Sequence, residues 1–289
     1  MDGILLVNKE KGISSFGVCS RIRKKLEIKK IGHSGTLDPD AEGLLTILVG
    51  EGTKLSKYLV EHNKEYKACL KIGIQTDSAD SEGNIVKEDS FKLEKENEKD
   101  YILKIKSLEG NLKQIPPMYS AIKVNGKKLY EYARSGQEID RKAREVQIYS
   151  IKVNEIKYDE NEIYFTVTCS KGTYIRTLCE QIAEKLGTIG FMKSLVRTKV
   201  NDFKIEEALS LKQIEMMTKE DINSRIITIE KFFEKNELID MTTKGVELLK
   251  NGVMLTYKLP DGEYRIYSND SFIGIGKVEK QLLKRDIIL

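Results

Sequence analysis

Histidine is nearly absent from this chain, with two residues in 289. That scarcity excludes a histidine-rich metal centre and gives little support to a Ser-His-Asp triad. Cysteine is sparse and scattered, at positions 19, 69, 169 and 179. No C-x-x-C pair exists to form a zinc knuckle and nothing resembles a secreted disulfide framework, so buried or reduced thiols are expected. No segment approaches the roughly 18 consecutive apolar residues that a membrane-spanning helix requires. The start, MDGILLVNKEKG, has an acid at position 2 and an apolar run too short for a secretory leader, so an untargeted cytoplasmic protein without membrane association is expected. A dominant charge sign is missing as well. The 49 basic and 45 acidic residues leave +4, which by itself identifies no partner.

What is present describes a folding chain: hydrophobic residues at 40% supply a core and charged residues at 33% a very polar surface. The length suits one large domain and a small one. A change of pattern near residue 235, from a charged irregular stretch over 215–235 to a helix in TTKGVELLKNG and short strands in GEYRIY and FIGIGKV, predicts a boundary between 1–235 and 236–289.

The pass along the chain predicts a helix in SSFGVCSRIRKKLEIKK, with Phe16, Cys19, Ile22 and Leu26 on its apolar stripe and Ser14 or Ser15 as N-cap. Its remaining faces carry Arg21, Arg23, Lys24, Lys25 and Lys30 and lead straight to His33. KEYKACLKIGIQT alternates as a strand, with Tyr66, Ala68, Leu70, Ile72 and Ile74 on one face. Residues on either side of DENE form a strand pair, and GTYIRTLCEQIAEKLG a helix stopped by Gly187. Arg176 then lies at a strand-to-helix junction.

The stretch of greatest chemical interest is GHSGTLDPDAEGLLTILVG, in which Asp38, Asp40 and Glu42 precede one of the most apolar segments. A calcium loop starting at Asp38 fails at its twelfth position, Val49, where a bidentate Glu is needed. Two readings remain: an ordinary Asp-Pro turn that caps the next element, or a reactive acid displayed by Pro39, which keeps Asp38 out of the helical region. An acid at an apolar wall needs a cation, and Arg176, between Ile175 and Leu178, is the candidate, since its planar fork can hold a carboxylate. Residue chemistry alone supports a carboxylate-centred site in a mixed α/β protein and a structural salt bridge equally.

GHSGTLDPDAEGLL resembles the signature loop of the TruB-type tRNA pseudouridine synthases, and NKEKGISS, IPPMYSAIKVNGKKLYEYAR, SKGTYIRTL and LVRTKVNDF follow in that family's order. The resemblance covers roughly residues 1 to 210, with Asn8 and Glu10 in place of the family's more usual Asp and Pro. It implies an α+β pseudouridine synthase fold with a mixed, largely antiparallel central sheet, plus a small PUA-like, β-rich C-terminal RNA-binding domain. It also implies isomerisation of the uridine at position 55 in the T-loop of tRNA, without cofactor or metal and with no obligatory protein partner. By resemblance, Asp38, Tyr66 and Arg176 are catalytic, and His33, Tyr66, Tyr174 and Leu195 contact the substrate. A carboxylate can act as nucleophile at C1′ or as base toward the C2′ proton, and the sequence does not choose. Base flipping calls for phosphate contacts, for which Arg21, Arg23, Lys24, Lys25, Lys30, Arg141, Lys142 and Arg144 are candidates. Rival readings are a guide-RNA-dependent synthase, a non-catalytic RNA chaperone, and a metal-dependent nuclease or glycosidase. Charge reversal at Arg23 and Lys24 is expected to weaken tRNA binding and flatten its salt dependence in a filter-binding titration; unchanged affinity would remove this patch from the RNA interface.

Overall fold

The computed structural model describes residues 2–60, 62–120 and 122–289. Gly3–Lys9 (β1) opens the chain as an almost wholly buried strand, and Ser15–Leu26 (α1) follows. Ser14 caps α1 by accepting from the Gly17 amide, while Ser15 turns inward to exchange hydrogen bonds with both backbone groups of Leu37. The buried stripe of α1 is Ser15, Val18, Cys19, Ile22 and Leu26. Phe16, expected in that stripe, is 64% exposed because Ser15 occupies the inward position at the first turn.

Glu42–Val49 (β2), Lys64–Ile72 (β3), Gly110–Gln114 (β4), Arg144–Lys157 (β5), Glu162–Cys169 (β6) and Gly190–Val200 (β7) form the large sheet with β1, and the short strands Ile31–His33, Phe203–Lys204, Leu209–Ser210 and Ile227–Thr228 pair along it. The order is Leu209–Ser210, β1, β2, β7, β3, β6, β5, β4. Pairing is antiparallel except between β2 and β7 and between β1 and Leu209–Ser210. The sheet is therefore mixed and largely antiparallel. Ile175–Leu186 (α2) lies between β6 and β7 in sequence, and its Ile175, Leu178, Cys179, Ile182 and Leu186 join Tyr66, Ala68 and Leu70 of β3 in one apolar cluster.

The charged stretch over 215–235, expected to be irregular, instead contains three short helices, Leu211–Met216, Lys219–Ser224 and Ile229–Phe232. Ser210, Thr218 and Thr228 cap them with their hydroxyls, which makes a helix of a stretch whose apolar pattern is too short to declare one. Beyond them, Leu238–Asp240 (β8), Thr243–Lys250 (α3), Gly262–Ser268 (β9), Ser271–Glu279 (β10) and Leu282–Ile288 (β11) build a second sheet. Ile275 and Ile287 of this β-rich unit share a core with Ile4, Leu6, Leu44 and Leu48. Asp286 adds a polar tie by accepting from the Tyr58 hydroxyl and pairing with Lys57.

The parallel pairing of β2 with β7 brings the acidic loop beside Arg197, and one glycine permits it. Gly43 has φ +106, and a Cβ there would sit 2.3 Å from the Arg197 carbonyl oxygen. Gly43→Ala is expected to destabilise the fold by about 2 kcal/mol or more, through combined strain and overlap, measured as a lowered urea midpoint.

Candidate active site

The acidic loop is fastened from beneath by buried cations and a hydroxyl that take its backbone carbonyls. Lys9, fully buried, donates from Nζ to the carbonyls of Glu10 at 2.9 Å, Pro39 at 2.9 Å and Ala41 at 2.5 Å. Its three donors are satisfied, and burial lowers its pKa to about 8 against the opposing pull of Glu42, Asp38 and Asp40. Arg197 donates from Nε to Leu44 at 2.7 Å and from its terminal nitrogens to Thr36 at 3.4 Å and Gly35 at 3.1 Å. With Ser15 holding Leu37, the loop from Gly35 to Leu44 is tied inward at six carbonyls. The side chain of Asp38 points the other way.

Asp38 meets Arg176 at 3.0 Å, Oδ2 to Nη2. The same guanidinium pairs with Asp80 at 3.3 Å and donates to the carbonyls of Ser78 at 3.2 Å and Tyr119 at 2.6 Å. Arg176 is buried and stands in the first turn of α2, where the helix dipole disfavours a cation. Two carboxylates compensate for that placement. Asp80 is held in turn by the Ser78 hydroxyl at 2.5 Å and the Glu82 amide at 3.1 Å. Asp80 was not anticipated from the sequence, where DSADSEGN reads as a plain loop; the available signal was charge balance, since a buried arginine shared with a partly exposed acid leaves room for a second one.

A cavity of about 440 Å³ opens beside Asp38, within the usual range for ligand sites. Its wall includes all the sequence-expected substrate and catalytic positions, His33, Asp38, Tyr66, Tyr174, Arg176 and Leu195, together with Ser120 and Arg197. β3 and β7 supply Tyr66 and Leu195, while Tyr174 is the N-cap of α2 and is fixed by the Gln114 side chain, which accepts from its amide at 2.9 Å and donates to its carbonyl at 3.3 Å. Burial pushes the phenols of Tyr66 and Tyr174 up and the imidazole of His33 down, so His33 favours its neutral form. A larger cavity, about 760 Å³, is lined by Tyr58, Phe203 and Phe232 and holds neither Asp38 nor Arg176. No group of three or more metal-ligating side chains lies together among the described residues.

The basic residues lie off this cavity. Arg21 pairs with Glu215 at 3.5 Å, Lys25 donates to the Glu215 carbonyl at 2.9 Å, and Lys30 pairs with Glu51. Arg141 bonds the Pro116 carbonyl and Glu138, whereas Lys24, Lys142 and Arg144 are exposed. The Nε of Arg23 is buried and makes no hydrogen bond.

The model of the TruB family pseudouridylate synthase N-terminal domain matches residues 23–175, and that of the tRNA pseudouridylate synthase B C-terminal domain matches residues 176–234. A Clostridium tetani protein named tRNA pseudouridine synthase B is 42% identical over 98% of this chain and 98% of its own length. The chain belongs to the TruB family of pseudouridylate synthases. A Clostridium perfringens relative of the same name is 40% identical over 100% of this chain and 99% of its own. Among solved structures, a chain of a Cbf5-Nop10-Gar1 complex matches with TM-score 0.68 and 26% identity over 95% of this chain and 78% of that one. A chain of an H/ACA RNP bound to a substrate RNA, at TM-score 0.71 and 22% identity, shares the fold. The boundary between the two family models falls at residues 175 and 176, inside one structural unit: β7, from the second segment, lies between β2 and β3 of the first. In this TruB-family enzyme Arg176→Lys is expected to cut turnover at least tenfold, because one ammonium cannot reach four acceptors arranged for a planar fork. Single-turnover pseudouridine formation measures it.

Proposed function

We propose that this enzyme isomerises uridine to pseudouridine at position 55 in the T-loop of tRNA. The observation that carries the reading is the Asp38–Arg176 pair, 3.0 Å long and set in the wall of a nucleotide-sized cavity that also presents Tyr66. Relatives named tRNA pseudouridine synthase B align with the chain from end to end, which favours a stand-alone tRNA enzyme over a guide-dependent one.

The chemistry follows from the charge each group can hold. The uridine is turned out of the T-loop into the cavity, at a cost of a few kcal/mol that phosphate contacts and stacking offset. Asp38 is oriented by its pair with Arg176 and lies with 42% of its side chain exposed, so a sugar can reach it. It acts on the ribose, as nucleophile at C1′ or as base at C2′, while the bond from C1′ to N1 breaks. The base rotates and rejoins through C5. Tyr66 stacks on the base and handles the C5 proton; Tyr174 and Leu195 enclose the base. His33, whose imidazole burial pushes toward its neutral form, contacts the flipped nucleotide from the cavity wall. Isomerisation conserves atoms and electrons, so the reading assigns no cofactor and no metal.

The basic residues at the end of α1 and in 141–144 serve the RNA backbone, and residues 236–289 act as a PUA-like RNA-binding unit on the T-arm substrate. Cytoplasmic action without an obligatory protein partner belongs to the same reading. Asp38→Asn protein, incubated with tRNA and mapped for pseudouridine, is expected to lose at least about 10³-fold in rate while keeping tRNA affinity within a few fold. Modification by the variant at the wild-type rate would remove Asp38 from the chemistry.

A further inference from the structure

Two guanidiniums line the cavity, and they are compensated differently. Arg176 faces two carboxylates. Arg197 is 1% exposed, and no carboxylate lies within ion-pairing distance of it among the described residues; its hydrogen-bond partners are the carbonyls of Leu44, Thr36 and Gly35. A guanidinium carries five N–H bonds, so one remains on each terminal nitrogen. Arg197 is the register partner of Tyr66 across β7 and β3, which puts both side chains on the same face, and both line the cavity. A cation this buried, held only by dipoles, suits a site where negative charge forms during the reaction.

Conversion of uridine to pseudouridine, the reading proposed above and the basis of this inference, moves one proton from N-ward neighbour to neighbour: C5 loses a hydrogen and N1 gains one. We propose that Arg197 is a positioning residue acting through Tyr66, whose phenolate it holds between donation of the phenol proton to N1 and recovery of a proton from C5. In the first step the electron pair of the C1′–N1 bond goes to N1, which takes the Tyr66 proton. After rotation, the C5=C6 pair forms the new bond to C1′. The C5–H pair then restores C5=C6, and the released proton returns to Tyr66. Nothing enters or leaves.

The neighbours of the phenol make its ionisation difficult without help. Burial raises it, and Cys169 from β6 and Asp38 from the loop push the same way; Arg197 is the opposing charge. Of the other cations that line the cavity among the described residues, Arg176 is directed to Asp38, Asp80 and two carbonyls, Lys64 donates to the carbonyls of Val60 and His62, and Lys171 is the third.

The test uses the full chain with tRNA and compares Arg197→Gln, which keeps hydrogen-bond donors without charge, with Arg197→Lys, which keeps charge. Arg197→Gln is expected to lower kcat by about 10²-fold with KM within threefold, and Arg197→Lys to stay within tenfold of wild type. Replacing Tyr66 by a difluorotyrosine, a more acidic phenol, should recover at least tenfold in Arg197→Gln relative to the same variant with tyrosine. Fluorine NMR titration of that residue, read without turnover, should show a higher midpoint in Arg197→Gln. Equal losses in the Gln and Lys variants, a loss the acidic phenol does not relieve, or an unmoved midpoint would overturn the inference. A wild-type protein that forms no pseudouridine would instead overturn the reaction proposed above, which the NMR titration does not depend on.

Discussion

Arg176 stands where a cation is least welcome, buried and in the first turn of a helix, and four acceptors make the position tenable. They come from three places: Asp38 from the acidic loop, Asp80 and the Ser78 carbonyl from the turn after the short strand Ile74–Thr76, and the Tyr119 carbonyl from the segment before residue 120. Three walls of the cavity therefore meet at one planar group. A planar fork fixes direction as well as distance, so the acid is aimed and not merely neutralised. Removing the fork would leave two acids facing each other across an apolar cluster.

The loop opposite is organised by the reverse arrangement. Lys9 and Arg197 are cations whose hydrogen bonds among the described residues go to carbonyl oxygens, and those bonds draw the loop backbone into the protein. With its carbonyls engaged below, the loop presents carboxylates above, where Asp38 finds Arg176 and Asp40 finds Lys11. This resolves the oddity of acids next to an apolar strand: the backbone faces the core, Asp38 faces the cavity and Asp40 is paired with Lys11. It also separates two kinds of positive charge in one site, one spent on carboxylates and one held by dipoles.

The C-terminal sheet is not suspended from the catalytic sheet by a bare linker. Ile275 and Ile287 enter the core under β1 and β2, and Asp286 reaches Tyr58 and Lys57. Burial of apolar surface gives such a contact its strength, while the buried polar tie sets its orientation. A unit seated in this way presents its surface at a fixed angle to the large sheet.

Much of this was legible in the residue order. Alternation in KEYKACL put Tyr66 inward, 3.6-residue spacing in IRTLCEQIAEKL gave α2, and the Asp-Pro step with flanking glycines marked the loop, because each signal is local and set by backbone sterics or periodic burial. Local chemistry also misled: Phe16 looked like core, and the capped short helices after residue 210 looked irregular. The sequence alone determined which residue types were on hand, an acid in a loop and an arginine at a helix start. Only the tertiary structure decided that Asp80 shares Arg176 and that Arg197, with no carboxylate within ion-pairing distance among the described residues, is the register partner of Tyr66. Those pairings depend on strands far apart in the chain becoming neighbours in the sheet, and sheet register is fixed by packing of whole faces rather than by any single stretch.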